Sequence, residues 1–172
     1  MHGMKVSLYA AISIDGFIAK QDGDSEWVSD VDSENFMKNI HECGCIILGH
    51  RTFDQYQHEI YPVDGVTNIV LTSQSDLNTN LDNVAYATSP QVAINIARER
   101  GHQQALVIGG GKTNGSFLRD NLLDEIILSV HPLVLGNGIK VFESVETFLH
   151  LEFLSQKGLG EDLLQLHYKV LR

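Results

Sequence analysis

A short apolar run that ends in three glycines sets the tightest limits on the fold of this chain. Residues 105–108 read Ala-Leu-Val-Ile, three glycines follow at 109–111, and residues 112–121 resemble a helix. Such a run predicts a buried strand, and glycines let a backbone approach a ligand closely. The free N–H groups at the start of the following helix favour a phosphate. The segment therefore predicts a nucleotide pocket or, alternatively, a strand-to-helix turn that binds nothing.

Two common phosphate-binding motifs fit this segment only in part. A P-loop requires G-x-x-x-x-G-K-[ST], and the sequence Gly-Lys-Thr at 111–113 supplies its end, but Leu106 stands where the first glycine is needed. The dinucleotide fingerprint G-x-G-x-x-G begins at Gly109 but meets Asn114 in place of its last glycine. Neither a Walker ATPase nor a standard Rossmann domain is supported, and an ATP-dependent enzyme is the weakest alternative.

Composition limits the class of protein. A chain of 172 residues with 43% hydrophobic content predicts a single globular domain over 1–172. No apolar run approaches the roughly 20 residues of a membrane helix, and no signal-peptide cleavage site is evident, so we expect a cytoplasmic protein. The net charge of −10 argues against nucleic acids and anionic membranes as partners.

The two cysteines, Cys43 and Cys45, form a C-x-C pair that could bind a metal or react. Burial as small hydrophobic residues is favoured, because Cys45 opens the apolar run 46–48 and no histidine stands at a ligand spacing nearby. We therefore expect no metal site and reduced thiols.

Strand-like and helix-like segments alternate along the chain. Residues 14–27 are predicted as a turn and a polar loop, and the last 25 or so residues as two antiparallel strands around 158–161. Alternation followed by a terminal hairpin predicts an α/β fold with a mostly parallel sheet and an antiparallel edge. The predicted strands are 5–13, 45–48, 66–71, 84–87, 106–108 and 123–134, and the predicted helices are 29–43, 51–57, 90–100 and 112–121.

Five sequence blocks, in order and over nearly the whole chain, resemble the dihydrofolate reductase-like superfamily. They are residues 11–19, 48–53, 71–73, 108–111 and 123–138. The last block is similar to the reductase domain of bifunctional riboflavin-biosynthesis enzymes and to stand-alone relatives of that domain. The resemblance implies a three-layer α/β fold with a mostly parallel central sheet and an antiparallel C-terminal hairpin. It also implies NADPH-dependent hydride transfer to a C=N-type bond of a small heterocycle of the pterin or aminopyrimidine class.

The same resemblance implies where NADPH would bind. Its 2′-phosphate needs a local cation in so acidic a chain, and Arg51 could supply paired donors, although a surface ion pair is the alternative. His50 stands where the family usually has arginine, so we expect a weaker and pH-dependent contact there. The full set of implied cofactor residues is Ala11, Ile18, Gly49, His50, Arg51, Thr52, Leu71, Thr72, Ser73, Gly109, Gly110, Gly111, Lys112 and Thr113.

The resemblance also implies a catalytic carboxylate. Trp27, Asp32 and Phe36 have the spacing of the tryptophan, active-site carboxylate and phenylalanine of folate reductases. Asp32 would bind the amidine face of the ring and support its protonation, although helix capping is the alternative and Asp30 is a competing candidate. Ser129 matches the hydroxyl that usually bonds this carboxylate, and Trp27 could form a lid or merely core. Implied substrate contacts are Asp32, Phe36, Leu135 and Gly136.

One departure argues against folate as the substrate. Folate reductases carry an arginine for the folate tail just before the strand that reads Asn-Ile-Val-Leu, and here that position is Val66. We therefore expect dihydrofolate to be a poor substrate and Val66→Arg to improve its affinity. A catalytically silent nucleotide-binding protein of the same fold stays an alternative. The resemblance further implies a homodimer that pairs through sheet edges and the apolar segment 126–135.

Overall fold

The computed structural model describes residues 3–172, which form one eight-stranded sheet flanked by helices and a small two-stranded sheet. The strands are β1 Lys5–Ile12, β2 Phe17–Ala19, β3 Cys45–Gly49, β4 Thr67–Leu71, β5 Val84–Ala87, β6 Gln104–Val107, β7 Glu125–Val130, β8 Ile139–Lys140, β9 Leu151–Gly160 and β10 Leu163–Val170. The helices are α1 Asp30–Cys43, α2 His50–Gln55, α3 Pro90–Glu99 and α4 Gly111–Arg119.

The main sheet has the order β5-β4-β3-β6-β1-β7-β10-β9. The six strands from β5 to β7 are parallel, and β10 joins β7 in the antiparallel direction, with β9 outside it. The prediction of a mostly parallel sheet with an antiparallel C-terminal hairpin is confirmed. The carboxyl ends of the parallel strands therefore share one edge, which is where open α/β sheets bind ligands.

Alternating side chains of β3 pack into two separate hydrophobic cores, one on each face of the sheet. Ile47 packs on one face with α3 and α4, including Phe117, while Ile46 packs on the other with Ile40 of α1. These four side chains are fully buried. Helices cover both faces of the central strands, which explains why the segment 45–48 is apolar throughout rather than alternating.

The four helices begin in two different ways. The Ser29 hydroxyl caps α1 by accepting from the Asp32 backbone N–H, and Ser89 caps α3 in the same way. Helices α2 and α4 have glycines, Gly49 and Gly110, at their N-cap positions, and neither offers a capping side chain. The first N–H groups of α4 consequently keep their donor capacity for something other than the protein's own side chains.

Two of the predicted elements differ in the structure. The strand predicted over 123–134 spans only Glu125–Val130, because the chain turns at His131 and Pro132 has no N–H for the ladder. Residues 17–19, predicted as loop, form β2 by pairing with β8, a partner more than 100 residues away that no local pattern indicates.

The cysteines lie as the sequence indicates. Cys45 is fully buried, Cys43 is partly buried, and neither forms a disulfide. Burial raises the pKa of the Cys45 thiol to about 12 and raises that of Cys43 as well, so both are neutral thiols at ordinary pH. Residues 3–172 contain no cluster of side chains suited to a metal ion. None of their helices has the length and apolar character needed to cross a bilayer.

Candidate active site

The carboxyl ends of β1, β3, β4 and β6 open into a single cleft with a volume of about 1890 Å³. All fourteen cofactor residues implied by the resemblance line this cleft, and so do Asp32 and Phe36. Trp27, Ser129, Leu135 and Gly136 do not line it. The structure thus brings the predicted cofactor residues together and divides the predicted substrate residues; their roles stay predictions.

The glycine turn forms the floor of the cleft. The Gly49 N–H donates to the Gly109 carbonyl over 2.8 Å, which joins the ends of β3 and β6. Gly109 has a φ of +111°, which a residue with a side chain rarely adopts, and a Cβ there would meet open space. A Cβ on Gly111 or Gly115 would instead collide with the backbone of segment 140–143. Gly111 therefore lines the cleft with its backbone while leaving no room for a side chain against the neighbouring segment.

One end of the cleft combines basic and hydroxyl side chains. His50 Nδ1 lies 3.2 Å from the Thr72 hydroxyl, and its Nε2 lies 3.3 Å from Asp54. Arg51 is exposed on the cleft wall, and the ion pairs among residues 3–172 do not include it. The alternative of a surface ion pair for Arg51 therefore has no support, and its guanidinium is available to an anion.

The cleft also contains a buried carboxylate. Asp32 is 1% exposed and lines the cleft, whereas Asp30 is exposed and does not. Of the two competing candidates only Asp32 lines the cleft, and its catalytic role stays a prediction. Capping and the proposed active-site role also prove to use different atoms, because Asp32 gives its backbone N–H to Ser29 while its side chain points elsewhere.

The side chain bonded to Asp32 is Tyr9, which the sequence did not reveal as a site residue. The Tyr9 hydroxyl donates to Asp32 Oδ1 over 2.6 Å. Burial raises the pKa of the Tyr9 phenol far above its usual range, and the hydrogen bond to Asp32 adds to the shift. Ser129 lies 3.2 Å from the Tyr9 oxygen, so the expected Ser129–Asp32 contact is indirect and passes through Tyr9.

His131 is a second residue that sequence reasoning missed. It is 2% exposed, and its Nδ1 lies 3.1 Å from the Ser129 carbonyl, which can only accept a hydrogen bond. Its Nε2 accepts from the Ser29 N–H over 3.3 Å. These partners assign a neutral imidazole with its proton on Nδ1. Nε2 therefore turns a lone pair toward Ser29, and it lies 3.8 Å from Asp32 Oδ2, beyond hydrogen-bond distance.

Trp27 does not line the cleft but packs against His131. Its ring meets His131 edge to face at a centroid distance of 5.2 Å. The indole N–H is buried without a hydrogen-bond partner in the described part of the chain. The adjacent loop lines the cleft and is joined to its wall by two hydrogen bonds, from Gln55 to the Gly23 carbonyl at 2.9 Å and between Ser25 and Tyr56 at 2.7 Å. A lid role for Trp27 itself stays a prediction.

Leu135 and Gly136 are engaged elsewhere. Their backbone N–H groups donate to the carboxylate of Asp15 over 3.1 and 2.7 Å. The Ser13 hydroxyl and these two N–H groups lower the pKa of Asp15. The cleft is lined instead by Gly138 and Ile139 from the same loop, so the placement does not support substrate contacts by Leu135 and Gly136.

Val66 lies in the core rather than at the cleft. It is 2% exposed and packs with the cluster that contains Ile40 and Leu48. An arginine at this position would bury an unpaired charge, so the predicted gain in dihydrofolate affinity from Val66→Arg is wrong.

Solved structures share this fold. A pyrimidine reductase-like protein from Corynebacterium diphtheriae superposes with a TM-score of 0.77 at 14% identity, covering 98% of this chain and 92% of that one. A bifunctional diaminohydroxyphosphoribosylaminopyrimidine deaminase/5-amino-6-(5-phosphoribosylamino)uracil reductase from Thermotoga maritima gives 0.75 at 18% identity, covering 98% of this chain and 57% of the other. The chain therefore has the dihydrofolate reductase-like fold.

The family follows from the sequence match. Residues 4–165 match the model of the RibD C-terminal domain, so the chain belongs to that family of reductase-like domains. An uncharacterized protein of Bacillus subtilis, YwjB, is 29% identical over 171 residues, which covers 95% of this chain and 97% of the relative. The resemblance to the riboflavin-pathway side of the superfamily is thus confirmed.

Proposed function

We propose that this protein is an NADPH-dependent reductase that transfers a hydride to a C=N-type bond of a small heterocycle of the pterin or aminopyrimidine class. One observation carries the proposal. A single cleft holds both the uncapped N-terminus of α4 and the buried carboxylate of Asp32. The first suits a dinucleotide phosphate and the second suits a polar ring.

The residues of the cleft fit NADPH. Gly109 leaves open space beside the backbone, and the N–H groups at the start of α4 have no capping side chain. Lys112 and Arg51 add exposed positive charges on the cleft wall of an otherwise acidic protein. Arg51 would meet the 2′-phosphate through paired donors, which favours NADPH over NADH. When bound, the cofactor supplies the hydride and the protein supplies position.

On the substrate side, the chain orients the ring and excludes water. Asp32 would accept a ring N–H, and Phe36 would cover one face of the ring from the same helix. The loop bonded to Gln55 and Tyr56 lines the cleft and would help to exclude water from it, which strengthens the electrostatic interactions inside. Close placement of the ring and the hydride donor then supplies much of the rate enhancement.

A second function, nucleotide binding without turnover, is favoured by one observation. The Tyr9 hydroxyl already engages Asp32 Oδ1, which leaves the carboxylate partly committed before any ligand arrives. A binding protein of this kind would retain NADPH affinity and would show no substrate-dependent oxidation of the cofactor.

One experiment separates the two functions. Calorimetry compares NADPH with NADH, and absorbance follows NADPH oxidation with dihydrofolate, the riboflavin-pathway aminopyrimidine and quinonoid dihydropterin. We expect tighter binding of NADPH and turnover of at least one ring. Binding without turnover of any ring supports the silent protein, and equal affinity for both cofactors contradicts the NADPH assignment.

We also propose a homodimer, formed at a place different from the predicted segment. Strand β7, which contains residues 126–130 of the predicted segment, lies between β1 and β10 and is not an edge. The edge strands of the main sheet are β5 and β9. On β9 Phe153 is 54% exposed, and Phe148 just before it is 83% exposed. Pairing of two such edges would cover these rings. A monomer by light scattering at micromolar concentration contradicts this. The unpaired thiols fit a cytoplasmic location.

A further inference from the structure

The part of the cleft lining that comes from residues 9–36, here called the N-terminal wall, is negatively charged. It contains three carboxylates, Asp22, Glu26 and Asp32, and none of its residues is a lysine, arginine or histidine. Asp22 and Glu26 are exposed, and the ion pairs formed among residues 3–172 include neither of them. The charges of this wall are therefore not balanced within the wall itself.

The two lysines closest to the N-terminal wall in sequence are bound elsewhere. Lys20 Nζ donates to Asp24 Oδ2 over 2.6 Å, and Lys38 Nζ lies 3.9 Å from Glu42 one turn along α1. Neither lysine lines the cleft. An anion that approached the N-terminal wall would consequently find no cation from this segment to pair with.

The cations of the cleft belong to the other part of its lining. His50 and Arg51 open α2, Lys112 lies in the first turn of α4, and Arg119 ends α4 beside Asp120, with 3.7 Å between the charged groups. The same part of the lining also contains the carboxylates Asp54, Asp120 and Glu143. Negative charge is thus mixed with positive charge along α2 and α4, which suits the phosphates of a dinucleotide, and stands alone on the N-terminal wall.

Apolar surface accompanies the acidic groups. The loop at 21–28 also brings Val28 to the cleft, and Phe36 of α1 lines it as well. Tyr56, which is bonded to Ser25 of this loop at 2.7 Å, is a further lining residue. An uncharged aromatic ring can bury its faces against such side chains. A phosphate or carboxylate carried by the ring would instead be repelled by the unbalanced carboxylates.

We propose that Asp22 and Glu26 are specificity-determining residues, which together with Asp32 make the cleft select uncharged heterocycles and exclude rings that carry a phosphate or carboxylate group. This inference rests on the proposed function, because it narrows the substrate class of the same site. It concerns the charge of the substrate and leaves open which ring atoms bond to Asp32.

The test compares two pterins that share one ring and differ by one negative charge, 6-hydroxymethylpterin and pterin-6-carboxylate. Their affinities are measured by fluorescence titration without cofactor, so that the phosphates of NADPH contribute no repulsion. We expect the wild type to bind 6-hydroxymethylpterin about tenfold more tightly, the combined effect of three carboxylates on a monoanion. The preference should shrink as NaCl rises from about 0.05 M to about 0.5 M, because salt screens the repulsion.

A second pair extends the test to phosphate. Calorimetry compares 5-amino-6-ribitylaminouracil with its 5′-phosphate under the same conditions. The phosphate carries up to two negative charges, so the preference for the uncharged member should exceed the preference in the pterin pair. An equal affinity for the two uracils would contradict the exclusion of phosphate.

Variants decide whether the carboxylates of the loop cause the preference. Asp22→Asn/Glu26→Gln removes two charges, and the amide of the first substitution keeps the oxygen that accepts from the Asp24 N–H over 3.0 Å. Glu99→Gln/Glu152→Gln, at exposed positions outside the lining, changes the net charge equally and is the control. The preference in the pterin pair should fall to about twofold in the first double variant and stay near tenfold in the control.

The proposal is overturned if the wild type binds both pterins equally, or if the control lowers the preference as much as the loop variant does. Binding of none of the four probes overturns the ring class of the proposed function and this inference with it. Should the loop variant fail to fold, Glu26→Gln alone poses the same question at an exposed position, with an expected preference of about fivefold.

Turnover is read separately from these affinities. A protein that prefers the uncharged probes but never oxidises NADPH with any ring keeps the charge selectivity and loses the proposed reductase function. A protein that reduces a ring but binds charged and uncharged probes equally keeps the reductase function and loses the role of Asp22 and Glu26.

Discussion

In the proposed function one half of the cleft binds the cofactor and the other binds the substrate, and the two halves differ in the chemical groups that form them. The cofactor half consists mainly of backbone N–H groups, glycines and exposed cations at the ends of β3, β4 and β6. The substrate half contains Tyr9 and Asp32, which line the cleft and hydrogen-bond to each other. Outside the lining, Ser129 bonds to the Tyr9 hydroxyl and His131 to the Ser129 carbonyl, and each of the four residues is no more than 2% exposed. Backbone donors tolerate side-chain changes, whereas a buried network fails when one member is lost. The halves should therefore respond differently to mutation.

The largest effect is expected at the carboxylate. Asp32→Asn should lower kcat/KM of the reductase about 100-fold or more, because an amide cannot support the proton transfer that accompanies hydride addition. NADPH affinity, measured by calorimetry, should stay near its original value, since the cofactor half does not contain Asp32. Asp30→Asn, an exposed change two residues away, is the control. A parallel loss of cofactor affinity would show that the two halves are not separate.

The next effect is on stability. His131→Ala removes the acceptor of the Ser29 N–H and the donor to the Ser129 carbonyl. Two buried groups left unpaired should lower the free energy of unfolding by about 2–4 kcal/mol, measured by urea denaturation. His41→Ala, an exposed change on α1, should leave it within about 0.5 kcal/mol. Equal effects of the two substitutions would contradict the hydrogen-bond assignment of His131.

A smaller effect is expected in the cofactor half. Arg51→Ala should remove most of the preference for NADPH over NADH, about 1.5–3 kcal/mol for a hydrogen bond to a charged group. Because Arg51 is exposed, added salt should weaken the wild-type preference as well. Arg98→Ala on α3, whose arginine does not line the cleft, is the control. If the ratio of NADPH affinity to NADH affinity is unchanged in Arg51→Ala, the 2′-phosphate is bound by donors other than Arg51.

The smallest effect concerns the Asp15 contact with the loop at 135–136. Because the pKa of Asp15 is lowered in the folded protein, its ionised carboxylate stabilises the loop at any pH above the usual aspartate pKa of about 4. This contribution is lost as the pH falls through the lower pKa that Asp15 has in the folded protein. Asp15→Asn should therefore speed amide exchange of Leu135 and Gly136 near neutral pH and make the rate insensitive to this titration. Amide exchange that is equally slow in the wild type and in Asp15→Asn would contradict this role of the Asp15 carboxylate.

The same contrast explains which parts of the site the sequence could predict. Glycines and strand ends are local signals, so the residues around Gly49 and Gly109 were predicted and do line the cleft. The contacts of the Tyr9 hydroxyl with Ser129 and Gln165 span 120 and 156 residues. A tyrosine within an alternating strand indicates only a packed side chain, and nothing local shows which partners its hydroxyl finds. Val66 was misjudged for the same reason, because its burial depends on the sheet around it.

Strand β1 has parallel neighbours on both sides, β6 and β7, and it supplies Tyr9 to one half of the cleft and Ala11 to the other. Tyr9 pairs with Ile127 and Ala11 with Ser129. Since side chains alternate between faces, an insertion of one residue ahead of Tyr9 would send its hydroxyl through the sheet into the α3–α4 core. The number of residues in β1 is therefore constrained, even at positions where the residue type could vary.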